Sequence, residues 1–364
     1  MITIFLLGFA LSSSCIAWLI WHARKHVHRY GSDMPQRFHK GNVPRLGGAG
    51  MLASLLICGL VLSGAGRYLN IPAHFREVFL PLALLSPAIL CGILEDLTQR
   101  ISVRIRLAVT LLCALVVCYT ADLRIARLDL PFLDSGLNAF PLIGMGLAVL
   151  AIGGLPHAFN IIDGYNGLAG MVAVLISLAL VHVALQLGDR QLAAVLVVLV
   201  GATAGFLVWN YPHGKIFAGD GGAYLWGGVI AYGCVALVAR HPEVSPWFPM
   251  LLLCYPVSET LFSIYRKKVR GQSPGMADAL HLHQLIYRRL VKVVLDSENE
   301  AEEMLMRNNR TSPYLWGVTL LTVVPATLFW RTSWLLVLCC LLFVCLYIGA
   351  YLAIIRFKLP KWRD

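Results

Sequence analysis

Charge is what this chain of 364 residues has least of. Asp, Glu, Lys and Arg together make up 13% of it, whereas apolar residues make up 58%, and mean hydropathy is +0.72. A soluble domain carries roughly a quarter charged residues, so there is too little charge here to cover a water-facing surface. That scarcity excludes a soluble globular protein, a disordered chain and a solvated coiled coil. It also excludes nucleic acid as a partner despite the net charge of +11, because the cations sit in short gaps between apolar runs rather than on one face. Cysteines in ligand or disulfide spacing are lacking as well. All ten lie inside apolar runs and read as small hydrophobes. Sequence repeats are absent, and so is the ten-residue alternation of barrel strands.

What is there is a series of continuous Leu-, Val- and Ala-rich runs. About 20 apolar residues span a bilayer as a helix. Breaks at charge, Pro and Gly clusters leave eleven candidates, near 1–21, 47–65, 77–94, 105–121, 140–158, 168–187, 192–209, 222–240, 247–264, 314–330 and 334–355. The first starts at Ile2 without a basic n-region or a small-residue cleavage site, and is expected to be a retained span. The expected fold is all-α: a polytopic integral membrane protein of about eleven helices. It forms a single domain over 1–364, with a cytoplasmic arm at 265–313.

Charge parity gives the orientation. Alternate gaps, beginning with 22–46 and ending with the tail after 355, hold 23 of the 30 Lys and Arg; the other gaps hold 7. The positive-inside rule puts the richer set in the cytoplasm, with the N-terminus outside and the C-terminus inside.

Polar residues in such a chain cost free energy and mark function. They gather in five strings, all on the cytoplasmic side by this parity. These are Asp33 to Gly48, with Lys40 and Arg45; Gly92-Ile-Leu-Glu95-Asp96; Asn160-Ile-Ile-Asp163-Gly164-Tyr-Asn166-Gly167-Leu168; Asn210 to Gly222, with Phe217 and Asp220; and Arg266 to Pro274, with Arg270, followed by His281-Leu-His283. Carboxylates beside Asn suit Mg²⁺, a hard ion that keeps water and substrate phosphates as ligands. Gly219, Gly221 and Gly222 let backbone approach an anion at a helix N-terminus. Arg266, Arg270 and Lys40 suit phosphate oxygens, and Phe217 offers a flat face for a base. Each string taken singly also has a plain structural explanation as a cap, a turn or a stop signal. Jointly they describe a site where a soluble nucleotide compound meets a lipid phosphate.

From Asp33 to His283, in order, these strings resemble the polyprenyl-phosphate N-acetylhexosamine-1-phosphate transferases of glycosyltransferase family 4. The most specific parts are Asn-x-x-Asp-Gly-x-x-Gly-Leu at 160–168 and Phe-x-Gly-Asp-x-Gly at 217–222. The resemblance implies a Mg²⁺-dependent phosphotransferase, with Mn²⁺ as an alternative ion. It would move a HexNAc-1-phosphate from a UDP-sugar to undecaprenyl phosphate in the lipid bilayer, releasing UMP. It implies Asp220 as magnesium ligand, Asp96 as the second acid of an acidic pair, and Asn160 and Asp163 as active-site polar groups. Asn210 and Phe217 fall at positions that contact uracil, Lys40 at a nucleotide-reaching lysine, and His281 and His283 in a late histidine motif. A homodimer is compatible with it.

The chain departs from the family pattern in four places. Glu95 replaces the first Asp of the pair, Asn166 stands where Asp is common, Gln284 stands where a third His is frequent, and Arg37-Phe38 shortens an Arg-Lys pair. Glu95, Asp96 and Asp163 are the candidate catalytic acids. Arg-x-x-x-Arg-Gly-x-Ser-Pro before His-x-His resembles the branch that initiates O-antigen and related polysaccharides. The pentapeptide branch of peptidoglycan synthesis would show three consecutive His and then Glu. A transporter is the rival class, but it would carry its polar groups near mid-bilayer in two related halves. Direct attack by the lipid phosphate and an aspartyl-phosphate intermediate both fit the sequence.

Overall fold

A computed structural model describes residues 1–23, 43–65, 75–271, 280–291 and 300–356, and every regular element among them is a helix. In chain order these are α1 (Ile2–Ala23), α2 (Gly47–Ala65), α3 (Phe75–Thr98), α4 (Val103–Thr120), α5 (Pro131–Ala139), α6 (Pro141–Ile162) and α7 (Leu168–Gln186). There follow α8 (Arg190–Asn210), α9 (Gly219–Arg240), α10 (Trp247–Leu252), α11 (Cys254–Val269), α12 (Leu282–Arg289), α13 (Glu300–Leu328) and α14 (Ser333–Arg356). Among the described residues nine helices are long and apolar enough to cross a membrane: α1 to α4, α6 to α9, and α14. The molecule is therefore an all-helical polytopic membrane protein. Only helices and closed barrels satisfy every backbone group in hydrocarbon.

Two of the eleven expected spans look different. The run 247–264 is interrupted at Leu253, between α10 and α11. Pro256 has no N–H to give to the carbonyl of Leu252, so α10 stops there and Pro256 takes a place in the first turn of α11. The run 314–330 is the far half of the 29-residue α13, which starts well outside the apolar segment, at Glu300. The described residues of the expected 265–313 arm are thus largely helical: the end of α11, the short α12 and the first turns of α13.

The bundle is centred on α8 and α9. Of their apolar windows 78% and 83% is buried, against 22% for α1 and α14, whose apolar side chains face outward to lipid. Hydroxyl and indole groups inside the bundle are paired across helices, as hydrocarbon demands. Ser12 Oγ donates to the Ala202 carbonyl, Ser54 Oγ to that of Gly8, and Trp226 Nε1 to Thr203 Oγ1. At the end carrying the polar strings, α2 and α3 press directly on the first turn of α9. A Cβ on Gly48 would overlap the Gly222 backbone nitrogen, so only glycine permits this approach. Backbone bonds complete the joint: Gly47 N–H donates to the Phe217 carbonyl and Phe217 N–H to that of Pro44, both at 2.9 Å.

Candidate active site

Asp220 lies at the start of α9, where helix packing brings three other elements to it. Asn160, two residues before the end of α6, donates through Nδ2 to Asp220 Oδ1 at 2.6 Å, and Arg106 of α4 donates to Oδ2. Behind it, Asp96 of α3 is buried and accepts from the backbone N–H groups of Asp220 and Gly221, both at 3.0 Å. A carboxylate facing the first N–H groups of a helix satisfies orphan donors and opposes the helix dipole. Asp96 thereby fixes where the α9 N-terminus, and with it Asp220, sits.

The loop after α6 is pinned from two sides. Asn210, at the end of α8, accepts from Gly167 N–H at 2.6 Å and donates to the Ile216 carbonyl at 2.8 Å, tying two polar strings together. Asn166 is held by α13: its N–H donates to Asn308 Oδ1 at 2.8 Å, and Ser312 Oγ donates to its carbonyl at 2.6 Å. Between them Asp163 ends α6, and burial pushes its carboxyl up to about 7 against the pull of the Arg45 guanidinium.

These groups line one cleft of about 550 Å³, within the size range of small-molecule sites. Eight sequence-predicted residues share it: Asn160, Asp163, Asn166, Asn210, Phe217, Asp220, His281 and His283. Four others do not line it. Glu95 turns to the α3–α4 connection, where Oε2 accepts from Ile101 N–H at 2.6 Å. Asp96 stands behind the α9 N-terminus. Arg266 is buried against the rings of Phe262 and Tyr351, 5.0 and 5.1 Å from their centroids, and so joins α11 to α14. Arg270 is exposed at the end of α11. Lys40 lies outside the described residues.

The cleft also holds Arg45, which the sequence placed in the first polar string without a role, and four residues that it did not single out: Arg106, His157, Lys267 and Asn308. Lys267 had a usable signal. Thr260, Ser263, Ile264 and Lys267 follow the 3, 4, 7 spacing of one helix face and line the cleft together, while Glu259, Phe262 and Arg266 follow the same spacing on another. Arg106 had none, because an arginine near the start of a span reads as an interfacial anchor. Asn308 sits in a polar stretch with no motif of its own.

Below the cleft runs an apolar groove between α4 and α6, lined by Leu111, Leu115, Ile143, Leu147 and Leu150 among others, about 620 Å³ in volume. Its walls continue those of the cleft one helical turn at a time. On α4 the row runs from Val103 and Leu107 to Leu111 and Leu115; on α6 it runs from His157 and Gly154 to Leu150 and Leu147. The molecule thus places cations and carboxylates at the head of a greasy channel.

Among the described residues no three His, Cys, Asp or Glu side chains converge into a complete metal cage. Mg²⁺ needs none, since it is usually held by one or two carboxylates with water and substrate phosphates. The carboxylates of Asp220 and Asp163 and the amide of Asn160, all lining the cleft, form an oxygen-bearing set of that kind.

Comparison with known proteins agrees with this chemistry. The family model "Glycosyl transferase family 4" matches residues 78–238. A probable undecaprenyl-phosphate N-acetylglucosaminyl 1-phosphate transferase of Bacillus subtilis is 28% identical over 260 residues, covering 69% of this chain and 68% of that protein. An undecaprenyl-phosphate alpha-N-acetylglucosaminyl 1-phosphate transferase of Thermotoga maritima is 29% identical over 206 residues, 57% of this chain and 60% of that one. A phospho-N-acetylmuramoyl-pentapeptide-transferase of a Synechococcus species is 31% identical over 296 residues, 76% of this chain and 80% of that one. With this shared sequence running through the helices that carry Asp96, Asn160, Asp163 and Asp220, the chain belongs to glycosyl transferase family 4.

Proposed function

We propose that the protein transfers a HexNAc-1-phosphate, GlcNAc-1-phosphate or that of a related sugar, from a UDP-sugar to undecaprenyl phosphate, as the first step of O-antigen or other cell-surface polysaccharide synthesis. The observation that carries this reading is the cleft itself: two carboxylates and three cations, Arg45, Arg106 and Lys267, directly above an apolar groove. A polyprenyl tail suits the groove, and its phosphate would then lie at the level of His157 and Asn160.

Asp220, with Asp163 and Asn160, would hold Mg²⁺, which when bound neutralises and polarises the diphosphate. The chain's own residues do the positioning, which dominates phosphoryl transfer. Arg106 and Lys267 grip phosphate oxygens, and the helix walls keep bulk water from the reacting phosphorus. A phosphate monoester is largely ionised at neutral pH, its second pKa being near 6. One of its oxygens bonds to the sugar-bearing phosphorus, the bond to the bridging oxygen breaks, and UMP leaves.

A pentapeptide-carrying donor is the second reading, and the Synechococcus relative favours it. His281-Leu-His283, in place of three consecutive His followed by Glu, favours the GlcNAc branch. Purified protein with undecaprenyl phosphate and Mg²⁺ is expected to release UMP from UDP-GlcNAc or a related UDP-HexNAc, and EDTA should stop it until Mg²⁺ is restored. Release only from the pentapeptide donor would establish the second reading. Release from none would refute both.

The charge split of 23 to 7 supports a periplasmic N-terminus and a cytoplasmic C-terminus in a bacterial inner membrane. A cytoplasm-active reporter fused after Asp364 should be active, and a periplasm-active one silent. The opposite pattern would overturn this orientation.

A further inference from the structure

Asn309 of α13 does not line the cleft, yet it starts a chain of amide contacts that reaches it. A backbone carbonyl only accepts, and an Asn amide has one accepting oxygen and one donating N–H₂ group, so its partners fix which way round it lies. Asn309 Nδ2 donates to the Pro212 carbonyl at 2.7 Å, so its Oδ1 is the atom turned to Asn166. Asn166 must answer with a donor, and its Nδ2 meets that oxygen at 3.1 Å. Asn166 Oδ1 is the atom left over. Asn166 lines the cleft, and this oxygen has no hydrogen-bond partner among the described residues and is not one of the fully enclosed unpartnered atoms. The cleft thereby gains an acceptor of fixed direction. The same relay accounts for Asn166 standing where Asp is common: a carboxylate there would set an oxygen against Asn309 Oδ1. Asn210 decides what lies beside this acceptor. It accepts from Gly167 N–H and donates to the Ile216 carbonyl, and so holds their chain neighbours, Asn166 and Phe217, in one stretch of cleft wall. A ring to stack on with an acceptor near it suits a nucleobase. Stacking does not tell bases apart; the hydrogen bond at the edge does.

We propose that Asn309 is a positioning residue for the base of the sugar donor: it holds the Asn166 amide with Oδ1 toward the cleft, where that oxygen accepts from N3–H of uracil and rejects cytosine, whose N3 carries a lone pair. This rests on the proposed transferase reading. Asn309 acts only through Asn166. The Asn166 backbone is held separately, by Asn308 Oδ1 and Ser312 Oγ, so Asn309 governs the turn of the amide and not the place of the residue. Without Asn309 the amide is free to turn over and offer N–H₂ to cytosine N3. Loss of Asn309 should therefore cost discrimination between bases rather than binding as such.

The test compares UMP with CMP binding to the purified protein in Mg²⁺ by titration calorimetry, which needs no turnover. Facing a buried acceptor with another lone pair leaves it unpaired, an effect of roughly 5- to 150-fold. Native protein is expected to prefer UMP by about that factor. Asn309→Ala should lose most of the preference, mainly because CMP binds more tightly. The ratio of kcat/KM for a UDP-HexNAc to that for the matching CDP-HexNAc should fall in step, with KM for undecaprenyl phosphate unmoved. A merely structural Asn309 predicts that UMP and CMP weaken alike and their ratio stays, and that result overturns the proposal. So does native protein that binds CMP as tightly as UMP, a result that needs no variant. If Asn309→Ala does not fold, Asn309→Ser, too short to reach both Pro212 and Asn166, is read in the same way. Transfer from UDP-sugars with an unshifted ratio in the variant would sink the proposal alone. Native protein that neither transfers from any UDP-sugar nor binds UMP would sink the transferase reading and the proposal with it.

Discussion

Asp220→Asn is expected to lower kcat by about 10³-fold or more, equivalent to roughly 4 kcal/mol of transition-state stabilisation, while the folded protein stays intact. Its two oxygens meet Asn160 Nδ2 at 2.6 Å and Arg106, both donors. An amide presents one oxygen and one N–H₂ group, so one donor would face another donor, and the charge that holds a divalent ion would be gone. Nothing in the helix depends on that side chain. The first N–H groups of α9 are held by Asp96, so the melting temperature should fall less than in Asp96→Asn. The check is turnover against Mg²⁺ concentration beside a thermal melt in the same detergent. Near-normal turnover at ordinary Mg²⁺ would remove Asp220 from the chemistry.

Asp96→Asn is expected to lose both properties at once. Its carboxylate is only 4% exposed and serves the N–H groups of Asp220 and Gly221 together. Asn has one oxygen, so one buried N–H would face an amide N–H₂ group. An unsatisfied buried donor costs about 1–3 kcal/mol, and the charge lost opposite the helix dipole adds up to about 2 kcal/mol. At roughly 2–4 °C per kcal/mol, typical of domains somewhat smaller than this one, the melting temperature should fall by several degrees. Turnover should fall with it, because Asp220 rides on the turn that Asp96 holds. The pair of variants separates two roles that look alike in sequence. Lost activity with an unmoved melting temperature in Asp96→Asn would instead assign that acid to the reaction itself.

The fold class was legible because its causes are local. Whether a run of 20 residues enters a bilayer depends on its own composition, and nine of the expected spans appear as long apolar helices. The broken span shows where that reasoning stops. Composition registered the apolar run 247–264 but not the missing bond from Pro256 that divides it into α10 and α11. The polar strings were legible for a related reason: in an apolar chain, a cluster of Asn, Asp and Gly stands out by its cost. Eight residues drawn from them share the cleft.

What the strings did not contain was their own geometry. Glu95 and Asp96 are neighbours, yet one closes a turn six residues on and the other reaches α9, more than a hundred residues away. Arg266 and Lys267 are also neighbours; a rotation of one residue on α11 puts the first against aromatic rings and the second in the cleft. Arg106, Asn308 and Asn309 carry no motif at all, and each matters only through the distant residue it meets. The sequence by itself determined a polytopic helical membrane protein with its polar residues gathered into a few strings, because hydrophobic burial and the cost of polar groups act residue by residue. Only the tertiary structure decided which members of those strings line the cleft and which hold the walls, because that depends on the rotation of each helix and on contacts between segments far apart in the chain.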